Sequence, residues 1–346
     1  MTYAITRRRC LATALGATAI ALVGCGESAS RRRSRIAYAA GFSLPKSVDE
    51  ALWLAFEQRI EQAIPDMDLR LVIRGETGPE EALFAALRRN RIQIGGGSFA
   101  GVATVVPEIS MLSVPFLFDT DAEVDFVMDE YMLPAFQKLF AAKGLEVLHW
   151  TEIGWVNVYA KPVIDRPEAA RGVRLRSSSS LASQAFIAEI GGDTITMPFS
   201  EVLPALQTGL IDGGVTSVTM YSLSGLTTEA PNYVLTRHSY DMGVLLANKT
   251  WMNSLSPAER EVVRLGYGGA AATRTAARAS VEGLLKSLPA KGVKLYEPTA
   301  EERAAWREAT WPSHEKLIQK VGGQAREIYE TMLQGKRDFA ARHATP

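Results

Sequence analysis

The sequence predicts an α/β protein of two similar lobes, each a mostly parallel sheet flanked by helices. Two stretches carry this expectation. Arg35–Ile94 and Gly172–Ser217 each alternate short apolar strands with helix-period segments in the order βαβαβ, the unit from which parallel sheets are built. A third observation is the long helical pattern after Ser256, softened midway by Gly268-Gly269.

The chain opens with Arg7-Arg8-Arg9 and an uncharged apolar run from Leu11 to Val23, too short to span a bilayer, so residues 1–24 read as an export signal and not as a fold element. Leu22-Val23-Gly24-Cys25 resembles a bacterial lipobox, which implies cleavage before Cys25 and lipidation of that residue. Thr6 to Leu11 resembles a twin-arginine signal with Cys10 in place of the usual aromatic, so both the twin-arginine and the general secretory routes stay open. Residues 25–34, rich in serine and arginine, read as a lipidated tether.

In the first lobe Arg35–Ala40 is the opening strand, and Ser47 with Glu50 forms a capping box for a helix bearing Val48, Leu52, Phe56 and Ile60, which Pro65 ends. Leu69–Ile73 is a second strand. Gly75-Glu76-Thr77-Gly78 turns the chain into a helix started by Pro79, and Arg91–Ile94 is a third strand. Gly95-Gly96-Gly97-Ser98 fails as a phosphate loop, because no lysine follows and Ala100 breaks the glycine spacing; it also lacks the second glycine of a nucleophile elbow. Its functional reading is close backbone approach to a small ligand at Gly97 and Ser98.

Val114–Phe118 reads as a buried connector, and Thr120 with Glu123 caps a helix to about Ala142 that Pro134 should kink. Strands are expected at Leu145–His149 and Trp155–Ala160. Val173–Arg176 is a strand ending at a guanidinium beside four serines and the start of a helix over Leu181–Ile190. Planar donors beside a helix N-terminus suit a carboxylate. Thr194–Met197, a helix over Glu201–Thr208 and a strand at Leu210–Gly213 complete the repeat. Ser256-Pro257 then starts the long helix, Val293–Tyr296 is a strand, and Thr299 with Glu302 caps a helix whose Trp306, Trp311 and Leu317 should pack inward.

Composition narrows the function. Net charge is zero, with 38 basic and 38 acidic residues, so no broad basic surface exists for nucleic acid. Both cysteines, Cys10 and Cys25, belong to the leader and its end, which leaves the folded body without a disulfide or thiolate metal site. His149, His238, His314 and His343 show no metal spacing and stand beside no motif nucleophile. No cofactor is expected.

GVRLR at 172–176 and PFSEVLPALQTGLIDG at 198–213, with PFLF at 115–118, KGLEVL at 143–148 and LSPAERE at 255–261, resemble the solute-binding proteins of tripartite ATP-independent periplasmic (TRAP) transporters over the whole mature chain. The resemblance implies a periplasmic-binding-protein-like fold with a long lobe-spanning helix. Lobe 1 would comprise 35–153 plus about 242–280, and lobe 2 would comprise 154–241 plus about 281–346. It implies a periplasmic receptor, not an enzyme, that captures an organic acid between the lobes and delivers it to TRAP membrane permease subunits, with membrane contact through the lipid anchor. An exported receptor feeding a sensor, or a hydrolase using Ser98 or Asp212, are the alternatives.

The family's site holds the substrate carboxylate with two arginines and an asparagine, and packs a phenylalanine on its body. Arg176 and Phe199 match two of these positions. The second arginine would fall where this chain reads Trp155-Val156-Asn157, and the family's D-G-Q-E-N is Asp212-Gly213-Gly214-Val215-Thr216 here. The expected site is therefore Arg176 and Phe199 with Thr216, Ser217 and Asn157 as neutral helpers. Trp155 and Tyr221 would widen the pocket, Gly97 and Ser98 would approach from the first lobe, and Glu76 would meet a ligand hydroxyl.

Overall fold

The computed structural model describes residues 35–343, and the leader, Cys25 and the tether lie outside them. Among these residues nine strands form one sheet: β1 Arg35–Ala40, β2 Met67–Val72, β3 Ile94–Ser98, β4 Leu145–Ala160, β5 Arg174–Ser177, β6 Asp193–Thr196, β7 Gly213–Ser217, β8 Asn232–Asn248 and β9 Lys294–Tyr296. Their order is β2-β1-β3-β8-β4-β7-β5-β6, with β9 beside β8. β1 runs parallel to β2 and β3, and β5 runs parallel to β6 and β7, so each expected βαβαβ unit is present.

The two units are joined by two strands. β4 and β8 pair antiparallel from Leu145↔Asn248 to Ala160↔Asn232. At about 3.3 Å per residue such strands run about 50 Å, long enough to serve both halves. β3 pairs with one end of β8 and β7 with the opposite end of β4. The sequence suggested two short strands where β4 is continuous, and it did not suggest β8. Glu152 and Gly154 read as a break because their pattern lacks alternation; in the fold they occupy a register shift, one of three along the ladder, and Gly154 takes φ +99° there. Bulges of this kind bend and twist a strand without ending it.

Two other strands begin later than expected. β3 starts at Ile94 and takes in Gly95–Gly97, which read as a turn. Side chains are excluded there because the Trp53, Leu83, Leu87 and Phe84 side chains lie against those glycines: a Cβ on Gly96 would stand 2.7 Å from the Trp53 ring. β7 starts at Gly213, leaving Leu210 exposed.

Helix starts follow their caps. Ser47, Thr120, Ser180, Ser256 and Thr299 each accept a backbone N–H from the first helical turn. The helix after Thr120 is relieved before Pro134 by a π turn over Met128–Met132, between Asp121–Val127 and Leu133–Ala142; proline cannot donate to the turn before it. The long C-terminal pattern is two helices, Pro257–Gly266 and Ala270–Ser287, divided where Gly268 takes φ +109°. Trp306 and Leu317 pack inward, but Trp311 is 51% exposed, because it stands at the C-cap between two helices rather than on a buried face. Trp53, Phe56, Ile60 and Tyr267 fill one core, and Val158, Leu175, Phe186 and Trp306 fill another.

Candidate functional site

β5 places its two arginines on one face with different fates. Arg174, exposed at the strand's start, makes a bidentate pair with Asp212 at 2.8 Å for each bond. Arg176, two residues on, is only 6% exposed. Its Nε and Nη2 both donate to the Met197 carbonyl, at 3.2 and 3.0 Å, and its guanidinium carbon stands 5.7 Å from the centre of the Phe199 ring. Among the described residues no carboxylate pairs with it and Nη1 makes no hydrogen bond. Burial pulls its pKa below the ordinary arginine value, and the nearby charges of Tyr159, Glu80 and Asp241 oppose that pull. A guanidinium this well enclosed and without an anion is a strong attractor for a carboxylate.

The neighbouring strands complete its surroundings. Gly214 on β7 lies between Arg176 of β5 and Tyr159 of β4 in register. A Cβ at Gly214 would fall 2.7 Å from the Tyr159 hydroxyl and 2.9 Å from the Arg176 carbonyl, so glycine is what lets the tyrosine ring lie there. The hydroxyl is buried with no hydrogen-bond partner, and burial pushes its pKa up to about 12 while Arg176 holds it down. A phenol normally finds a partner when enclosed.

Residues of the first βαβαβ unit and of β8 stand near this group. Phe42, just beyond β1, meets Phe199 edge to face at 6.3 Å, and Ser179, just beyond β5, donates to Glu81 at 2.7 Å. Glu80, next to Glu81 at the start of the helix Glu80–Arg88, accepts from both the backbone N–H and the hydroxyl of Ser98. Asp241 on β8 accepts from the Ser113 hydroxyl at 3.2 Å. Burial raises both carboxyls, that of Asp241 to about 6, and Arg176 lowers each in part.

The expected site residues divide. Phe199 lies over Arg176, and Thr216, on β7 beside them, has a hydroxyl with no hydrogen bond among the described residues. Ser217 caps the helix Val218–Leu223 through Met220 N–H. Asn157 is used internally: its amide donates to the Trp155 carbonyl and Tyr233 hydroxyl and accepts from Arg237 N–H. Trp155 turns toward the helix Asp121–Val127, its indole donating to Asp121 at 2.7 Å and its ring edge-on to Tyr240. Tyr221 is a core residue, stacked on Tyr233 with its hydroxyl on the Ala230 carbonyl. Gly97 gives room to Phe84 and Glu80, and the Ser98 hydroxyl is taken by Glu80. Glu76 is exposed and accepts from Arg74 N–H at 2.6 Å. Sequence reasoning missed Tyr159, Phe42, Glu80 and Asp241; Gly214, where a larger residue was expected, was the one local signal.

Residues 46–320 match the family described as bacterial extracellular solute-binding protein, family 7. The C4-dicarboxylate-binding periplasmic protein DctP of Rhodobacter capsulatus is 27% identical over 332 residues, 92% of this chain and 96% of that protein. A solute-binding protein of Chromohalobacter salexigens is 27% identical over 218 residues; that match spans 62% of this chain and 64%, under two thirds, of its own length. Among solved structures, the sugar acid binding protein DctPAm of Advenella mimigardefordensis with galactonate superimposes with a TM-score of 0.82 at 28% identity, covering 88% of this chain and 99% of that one.

Proposed function

The chain belongs to the bacterial extracellular solute-binding proteins of family 7, receptors of TRAP transporters and not enzymes, and from that premise we propose that it captures a small organic acid by its carboxylate at Arg176 and hands it to the membrane subunits. The observation that carries the reading is a guanidinium that is 6% exposed and paired with no carboxylate among the described residues. A carboxylate docked on Nη1 would gain a charge-assisted hydrogen bond worth about 1.5–3 kcal/mol, and the Tyr159 hydroxyl is placed to donate a second. Phe199 and Phe42 then cover the ligand's body from the two sides. Thr216 supplies a hydroxyl, while Asn157 orders the strands behind the site instead of touching the ligand.

The test is isothermal titration with sugar acids, galactonate first because the Advenella relative holds it. Arg176→Ala should abolish binding while thermal unfolding stays close to wild type. Unchanged affinity in that variant would place the ligand elsewhere.

The lipobox-like run before Cys25 supports anchoring of the receptor to a membrane by a lipid on that residue. Detergent-phase partitioning of the expressed protein, lost in Cys25→Ser, checks it, and aqueous partitioning of the wild type would refute it. The lobes divide near Gly154 and about residue 241, a reading supported by the register shift at Glu152/Gly154 and the left-handed φ of the glycine.

A further inference from the structure

Arg176 has two carboxyls near enough for their charges to act on it: Glu80, whose helix start meets the loop leaving β5 through Glu81 and Ser179, and Asp241 on β8. Glu80 is fixed by the Ser98 N–H at 3.0 Å and by the Ser98 hydroxyl, and Asp241 by the Ser113 hydroxyl at 3.2 Å. Both are only half-buried, so each keeps surface open. Neither forms an ion pair with any base among the described residues, unlike Asp212 with Arg174 and Asp125 with Arg278. The Glu81 carboxylate receives the Ser179 hydroxyl at 2.7 Å, which brings the start of the Glu80 helix against the loop that leaves Arg176. The charges interact accordingly: Glu80 and Asp241 oppose the loss of the Arg176 proton, and Glu80 raises the Asp241 carboxyl.

We infer that this crevice selects an acid bearing one carboxylate and hydrogen-bond donors at its far end, and rejects dicarboxylates, with Glu80 and Asp241 as the selecting residues. The inference rests on Arg176 as the carboxylate anchor. A hydroxylated tail offers donors to the two acceptors; a second carboxylate offers only lone pairs and like charge to groups held in no ion pair among the described residues, an arrangement that costs heavily in a confined site.

The experiment compares paired acids of one carbon skeleton by calorimetric titration of the mature protein: galactonate against galactarate, and 4-hydroxybutyrate against succinate. The monoacid of a pair should bind about tenfold or more tighter than its diacid. Glu80→Gln and Asp241→Asn, each confirmed folded by thermal melting, should narrow that ratio, chiefly by strengthening the diacid. Equal or tighter binding of the diacid by wild type overturns the inference, and so does a ratio unmoved in both folded variants. Failure of the underlying reading looks different: binding then survives in Arg176→Ala, or no member of either pair binds. Diacid and monoacid binding that both require Arg176 but do not differ defeats the selectivity alone.

Discussion

The Tyr159 ring lies over Gly214 so closely that a single methyl group on the glycine would stand 2.7 Å from the phenol oxygen. That contact lets the hydroxyl of one strand lie toward Arg176 of another across a residue with no side chain, near enough for the arginine's charge to lower the phenol's pKa in part. It replaces by geometry what a longer side chain on β7 would supply by reach.

Tyr159→Phe should therefore weaken acid binding about five- to tenfold, the value of one hydrogen bond of about 1–1.5 kcal/mol. It should leave the melting temperature unchanged or slightly higher, because the hydroxyl it removes is buried without a partner. Gly214→Ala should cost stability, about 1–3 kcal/mol for overpacking, as well as affinity. Full affinity in Tyr159→Phe would take the phenol out of the site.

Asp241 gives the unliganded protein a pH dependence. Burial raises its carboxyl from an ordinary 3.8 to about 6, with Ser113 and Arg176 lowering it in part and Glu80 raising it further. A group raised in the folded state contributes its stability below the unfolded value and loses it as pH climbs through the folded one. Wild type should thus melt progressively earlier than Asp241→Asn between about pH 4 and pH 7. Melting curves that stay parallel over that window would contradict the assignment.

Phe42 and Phe199 meet edge to face from opposite halves of the sheet. Phe42→Ala should lower affinity about three- to tenfold, in line with about 0.5–1.5 kcal/mol for an aromatic pair, without a comparable loss of stability. Titration and melting of the one variant read both quantities.

Arg278, on the helix Ala270–Ser287, binds Asp125 at 2.7 and 2.8 Å, Glu152 at 3.0 Å and the Tyr240 hydroxyl at 3.0 Å. The Glu152 side chain is 2% exposed and also accepts from Tyr240. Arg278→Met should strand that carboxylate and destabilise the fold by about 3–5 kcal/mol in denaturant titration. Arg278→Met with Glu152→Gln should recover part of the loss.

Local chemistry was legible in the chain. Ser47, Thr120, Ser256 and Thr299 announced their helices because a cap needs only residues within one turn. Arg176 and Phe199 stood out because short strand-to-helix units brought them to one end of β5 and β6. What stayed hidden depends on partners far along the chain. β8 lacks an alternating pattern since it is covered on both sides for most of its length, and β4 looks broken until the bulges that carry it past Gly154 are paired. Asn157 looked like a ligand amide, yet its partners are Tyr233 and Arg237, which no spacing rule connects to it. Glu80 gave no sign, since only the fold sets it beside Ser98.

β4 and β8 are common property of both halves of the molecule. Neither half can therefore be excised as a self-sufficient piece, for each cut would strip the other of its central ladder. Any swing that admits a solute would have to flex those two ribbons where their pairing slips, and with them the helix Ala270–Ser287, which carries the chain from the Tyr267 core to the Leu288 core.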